Sequence, residues 1–86
     1  MSLDYKIYQG KELIAATATV IGATHIGFAT PQTVIKYAGR VVWNELKDGP
    51  ITQQNRSRVD YTIQTRINHH RAQVAARYAA LQAGSK

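Results

Sequence analysis

The chain has 86 residues, no cysteine and a formal net charge of +6, from 11 lysine and arginine residues against five acids. This length predicts one domain, residues 1–86, with a C-terminal helix that extends from it and a core near the lower size limit for independent stability. Without cysteine, disulfides and thiolate metal sites are excluded, so further stability has to come from well-formed helices or from other subunits.

The positive charge is concentrated in the C-terminal part of the chain. Residues 1–49 carry five cations and four anions, a net charge of +1, whereas residues 50–86 carry six cations and only Asp60, a net charge of +5. Five of those six cations are arginines, whose planar heads bind phosphate or carboxylate with two hydrogen bonds. This part favours contact with a polyanion or with an acidic protein surface, and a solvated helix face is the alternative.

Residues 4–28 are predicted to form an N-terminal β-hairpin or small meander. Asp4–Tyr8 reads as a strand, Gln9–Lys11 as a tight turn, and the run to Ile21 is rich in β-branched residues. A helix over residues 11–21 is the alternative. The N-terminus lacks the apolar core of a signal peptide, which indicates a cytoplasmic or virion protein. Polar residues and glycines interrupt the uncharged stretch 13–35, so no membrane span is expected.

A helix is predicted over residues 31–48 because both of its ends have suitable residues. Thr30 is a favourable cap, Pro31 fits the first helical position, and Gly49 can end the helix. A strand interpretation competes with this helix, since Asp48-Gly49 is a hairpin signal. It also has support from alternating large residues at Ile35, Tyr37, Val41 and Trp43.

The last element is predicted to be a long helix over residues 53–83, capped by Thr52 or Asn55. Seven residues at steps of three or four form one continuous stripe along it, and we call this the apolar stripe: Val59, Ile63, Ile67, His70, Val74, Tyr78 and Leu81. The fold class is therefore expected to be α+β. The predicted architecture is the N-terminal hairpin followed by an antiparallel helical hairpin, 31–48 and 53–83, whose second helix overhangs.

An overhanging apolar helix predicts self-association, because its apolar side has no partner in its own chain. The residues predicted to take part are Trp43, Val74, Tyr78 and Leu81. On a helix over 31–48, Trp43 would point away from the long helix, toward another subunit or under the N-terminal hairpin.

A basic and polar line beside the apolar stripe is the candidate contact for a polyanion or an acidic partner. Its residues are Arg58, Arg66, His69 and Arg77. His69 and His70 are adjacent and point about 100° apart on a helix, so they do not suit chelation of one metal ion.

No catalytic constellation, metal site or cofactor fingerprint is expected from the sequence. The function that it favours is a non-catalytic, self-associating structural protein, a small subunit of a virion or other multi-subunit particle. Copies of itself or other assembly subunits are its expected partners. The alternative is a small DNA- or RNA-binding regulator that uses the basic C-terminal helix.

Overall fold

The computed structural model describes residues 3–83, with the side chains of residues 3–82, and has an α+β fold. The elements in chain order are β1 (Tyr5–Gln9), β2 (Glu12–Thr17), α1 (Val20–Phe28), β3 (Thr33–Tyr37), β4 (Arg40–Asn44), α2 (Glu45–Asp48) and α3 (Arg56–Ala83). The four strands form one sheet in the order β2-β1-β3-β4, and all neighbouring pairs are antiparallel.

The first hairpin, β1 and β2, lies within the predicted β region, but residues 20–28 are helical. Thr19 caps α1 by accepting a hydrogen bond from the Gly22 N–H at 3.0 Å. Ala23, Thr24 and Gly27 form the buried side of α1. These small residues let the helix lie close to the sheet, so tertiary packing outweighs the strand propensity of the segment.

The predicted helix over residues 31–48 is wrong, and so is the helical hairpin that included it. β3 and β4 form a second hairpin here, followed by α2, a helix of only four residues. The connection is Ala38-Gly39, with φ values of 51° and 83°, as in the two-residue turns that suit antiparallel strands. Pro31 lies in a turn, and Gly49 ends the short α2 instead of a long helix.

One face of the sheet carries the core. Ile35 lies opposite Ile7 on β1 and Trp43 on β4. The β3–β4 register shifts between Ile35 and Lys36, which leaves Val42 in a bulge and allows Val42 and Trp43 to be buried together. Helices α1 and α3 cover this face, and the core cluster consists of Tyr5, Ile7, Ala23, Ile35, Val42, Trp43, Ile51, Val59, Ile63 and Ile67.

The predicted long C-terminal helix is confirmed. Thr52 and Asn55 exchange two hydrogen bonds immediately before it, at 2.7 and 3.2 Å, and so stabilise its first turn. α3 has 28 residues, a length of about 42 Å. Because the longest dimension of the molecule is 51 Å and the other two are 25 and 23 Å, α3 extends well beyond the sheet.

Candidate self-association surface on the C-terminal helix

The apolar stripe of α3 passes from the core into solvent. Val59 and Ile63 are 0% exposed and Ile67 is 1% exposed. Farther along the same stripe, Val74, Tyr78 and Leu81 are 50%, 63% and 70% exposed. Every residue from 71 to 82 is exposed, and we call residues 71–82 the distal segment. Its apolar side chains have the same helical spacing as the core residues but no sheet beneath them.

A shallow groove lies where the distal segment leaves the sheet. Its lining combines the turn after β3 with one side of α3: Tyr37, Ala38, His70, Arg71, Val74, Ala75 and Tyr78. The groove therefore continues the exposed apolar stripe onto the end of the sheet.

Arg71 forms one wall of this groove through two contacts with Tyr37. Its guanidinium lies 5.4 Å from the centre of the Tyr37 ring, and its Nη2 donates a hydrogen bond to the Tyr37 hydroxyl. The hydrogen bond with Tyr37 raises the pKa of Arg71. The Tyr37 ring in turn packs against that of Tyr5, with 4.9 Å between ring centres, and burial raises the pKa of Tyr5. These contacts fix the base of the distal segment on the sheet.

Trp43 was predicted as a self-association residue, but it belongs to the core of its own chain. It is 4% exposed, and its indole Nε1 donates a hydrogen bond to the carbonyl oxygen of Gly49 at 3.1 Å. The prediction depended on a helical position for Trp43, whereas on β4 the side chain faces α3 beside Ile35. Trp43 is consequently not accessible to another subunit in this fold.

The residues predicted to contact a polyanion do not form one surface. Arg66 is engaged within the chain, since it donates to the Asp48 carboxylate at 2.9 and 3.0 Å and to the Val42 carbonyl oxygen at 2.9 Å. Arg58 and Arg77 are exposed, but they are 19 positions apart in sequence, which places them about 28 Å apart along the helix and about 100° apart around it. The His69 Nε2 is within hydrogen-bond distance of the Gln73 Nε2, at 3.1 Å, so this side chain also has a contact within α3.

The Arg66–Asp48 contact and the Arg71–Tyr37 contact were not predicted. Each joins residues far apart in sequence, and each depends on the positions of β3 and β4. Only the correct strand assignment for residues 33–44 could have indicated them.

Among residues 3–83, no group of three or more histidine, aspartate or glutamate side chains is placed to hold a metal ion. None of the helices in this part combines the length and apolar character needed to cross a membrane.

Comparison of the chain with protein families, with curated proteins and with solved structures gives no match.

Proposed function

We propose that this chain is a non-catalytic, self-associating basic protein that serves as a small subunit of a virion or another multi-subunit particle. The observation that supports this function is the continuation of the apolar stripe past the core. Ile67 and Leu81 are 14 positions apart, or about 21 Å along the helix, and the exposed fraction of the stripe residues rises from 1% at Ile67 to 70% at Leu81. Large apolar side chains arranged in one exposed line are typical of surfaces that another protein covers.

The proposed occupant of this surface is a second copy of the chain. A stable interface buries about 800 Å² on each partner. The distal segment is about 18 Å long and about 10 Å wide, so it supplies only part of that area. In an antiparallel pair, each distal segment would also cover the partner's groove beside Tyr37 and Ala38. This symmetric arrangement uses the same surface on both copies and raises the buried area.

The charges on α3 determine how such a pair responds to salt. Asp60 is the only acid in α3, and Arg71 and Arg77 lie about 60° to either side of Val74 around the helix. Two distal segments therefore repel electrostatically and attract through apolar contact. Because salt screens the repulsion, self-association should persist or strengthen as the salt concentration rises.

Light scattering coupled to size exclusion tests the proposal. The wild-type protein should have a mass of at least two chains of 9.5 kDa each, and this mass should persist at high salt. Val74→Asp should reduce it to that of one chain, because it places a charge in the middle of the buried stripe.

Ala76→Asp is the matched control for this experiment. It introduces the same charge two residues away on the opposite side of the exposed helix, so it should leave the mass unchanged. A mass for Val74→Asp equal to that of the wild type would contradict the proposed interface.

A DNA- or RNA-binding regulator that uses α3 is the second candidate. It is supported by the exposed positions of Arg58 and Arg77 and by the net charge of +6. Binding through these residues would weaken as salt is raised, because released counterions drive such contacts. Opposite salt responses therefore separate the two functions.

A further inference from the structure

The sheet has a second face, on the side away from α1 and α3, and we call it the open face. Side chains alternate between the two faces of a strand. Residues that lie opposite one another on neighbouring strands point to the same face, so they form rows across the sheet. One row crosses the four strands as Leu13, Tyr8, Val34 and Asn44. The neighbouring row consists of Ala16, Lys6, Lys36 and Val41. The open face thus combines apolar, aromatic and cationic side chains.

Two lysines lie side by side at the centre of this face. Lys6 on β1 is directly opposite Lys36 on β3, where like charges destabilise a sheet. The strands β1, β3 and β4 contain no acid, and Asp4 adjoins the Lys6 end of the face. A bound anion would offset the repulsion between the two ammonium groups, so the register favours an anionic ligand at this point.

Tyr8 supplies an aromatic surface beside the two lysines. The Lys36 Nζ lies 5.0 Å from the centre of the Tyr8 ring, and Tyr8 is partly exposed between Leu13 and Val34. Along β1 and β3 the two rows are two residues apart, a distance of about 7 Å. A flat ligand stacked on Tyr8 would therefore have its charged groups within reach of Lys6 and Lys36.

We propose that the open face binds single-stranded nucleic acid. In this arrangement Tyr8 stacks on a base, while Lys6 and Lys36 neutralise adjacent phosphates. Stacking and phosphate neutralisation do not read base edges, so the binding is expected to tolerate many sequences. Duplex bases are already stacked on one another and offer no free surface to Tyr8. The open face and the distal segment are separate surfaces, and this inference does not depend on self-association.

Fluorescence anisotropy with a labelled oligothymidylate tests the inference. A length of about 12 nucleotides lies within the range that small stacking platforms cover. The double variant Lys6→Gln/Lys36→Gln should bind about tenfold more weakly, and the slope of log affinity against log salt should fall in magnitude by about 1.4. Tyr8→Leu should also weaken binding about tenfold, whereas Tyr8→Phe keeps the stacking surface and should bind like the wild type.

Arg58→Gln/Arg77→Gln is the matched control, because it removes the same charge from α3 and should change the affinity by less than about twofold. The inference is overturned if this control loses binding while the lysine variant retains it, which would assign the contact to α3. It is also overturned if the oligothymidylate does not bind at low salt, or if a duplex of the same length binds more tightly than the single strand. If the lysine variant changes the protein's mass and not its oligonucleotide affinity, the open face is a protein interface instead.

Discussion

Arg66 and Asp48 form a two-point ion pair, with Nη1 at 3.0 Å from Oδ2 and Nη2 at 2.9 Å from Oδ1. The pair has two further anchors: Arg66 Nη1 donates to the Val42 carbonyl oxygen, and Asp48 Oδ2 accepts the Asn44 N–H. It therefore ties the middle of α3 to the edge strand β4 and to α2. The charge of Arg66 is therefore balanced within the chain.

Asp48→Asn is expected to lower the free energy of unfolding by about 1 kcal/mol at neutral pH. The side chains of Arg66 and Asp48 are 43% and 20% exposed. Solvent therefore screens the pair and limits its contribution to about the largest value found for surface ion pairs. Urea unfolding followed by circular dichroism measures it. Lys47→Gln, which alters the neighbouring charge without removing the pair, should change stability by less than about 0.5 kcal/mol.

The pH dependence of this difference follows from the pKa of Asp48. The hydrogen bond from Arg66 is the largest cause that lowers this pKa below the ordinary value of 3.8. A carboxyl group whose pKa is lower in the folded state contributes stability above the unfolded value, and this is lost as pH falls through the folded value. The gap between wild type and Asp48→Asn should thus be full at neutral pH and shrink below about pH 4. A gap that widens in acid would contradict the assignment.

Trp43 is the only tryptophan of the chain, so its fluorescence reports directly on the core. Trp43 is 4% exposed and its Nε1 donates a hydrogen bond to the Gly49 carbonyl oxygen. The folded protein should therefore emit at shorter wavelength than the urea-unfolded protein. Iodide should quench this emission weakly. Assembly through the distal segment should leave the emission unchanged over a range of protein concentrations, whereas a concentration-dependent shift would place Trp43 in an interface.

The difference between α3 and residues 31–48 shows what local sequence can predict here. The apolar stripe of α3 repeats over six intervals, so a single helix explains it and the long helix could be predicted. The segment 31–48 is shorter, and Thr30, Pro31 and Gly49 fit the ends of a helix as well as the turns around strands. Its strand form depends on Ile35 packing between Ile7 and Trp43, and Ile7 is far from both of them in sequence.

The candidate sites also differ in how far local sequence could predict them. Val74, Tyr78 and Leu81 could be singled out from sequence because their exposed positions follow from one helix and its length. The groove beside Tyr37 and the open face around Lys6 and Lys36 could not be predicted. Both require the strand order and register, which arise from pairing between distant segments and not from local propensity.

Alanine substitutions within the apolar stripe should separate its two halves. Ile63→Ala removes a side chain that is 0% exposed and should lower the free energy of unfolding by about 2–5 kcal/mol. Val74→Ala, at a position 50% exposed, should change it by about 0.5 kcal/mol or less in dilute protein. If copies pair through this surface, the Val74→Ala effect grows with protein concentration while the Ile63→Ala effect persists at every concentration. Equal effects in dilute protein would mean that Val74 is buried within its own chain.

Removal of residues 72–86 should leave the domain folded, because the last core residue of α3 is Ile67 and the contact of Arg71 with Tyr37 is retained. The urea midpoint of dilute protein should stay close to that of the full chain, and the truncated protein should be monomeric at all concentrations. Helical ellipticity should fall by the share of α3 that is removed, since the distal segment belongs to one continuous helix. Loss of cooperative unfolding after truncation would show that the distal segment stabilises its own domain. Retained self-association would instead show that the interface lies on another surface. Urea unfolding therefore tests the role of the distal segment in stability, and the oligomeric state tests its role in assembly.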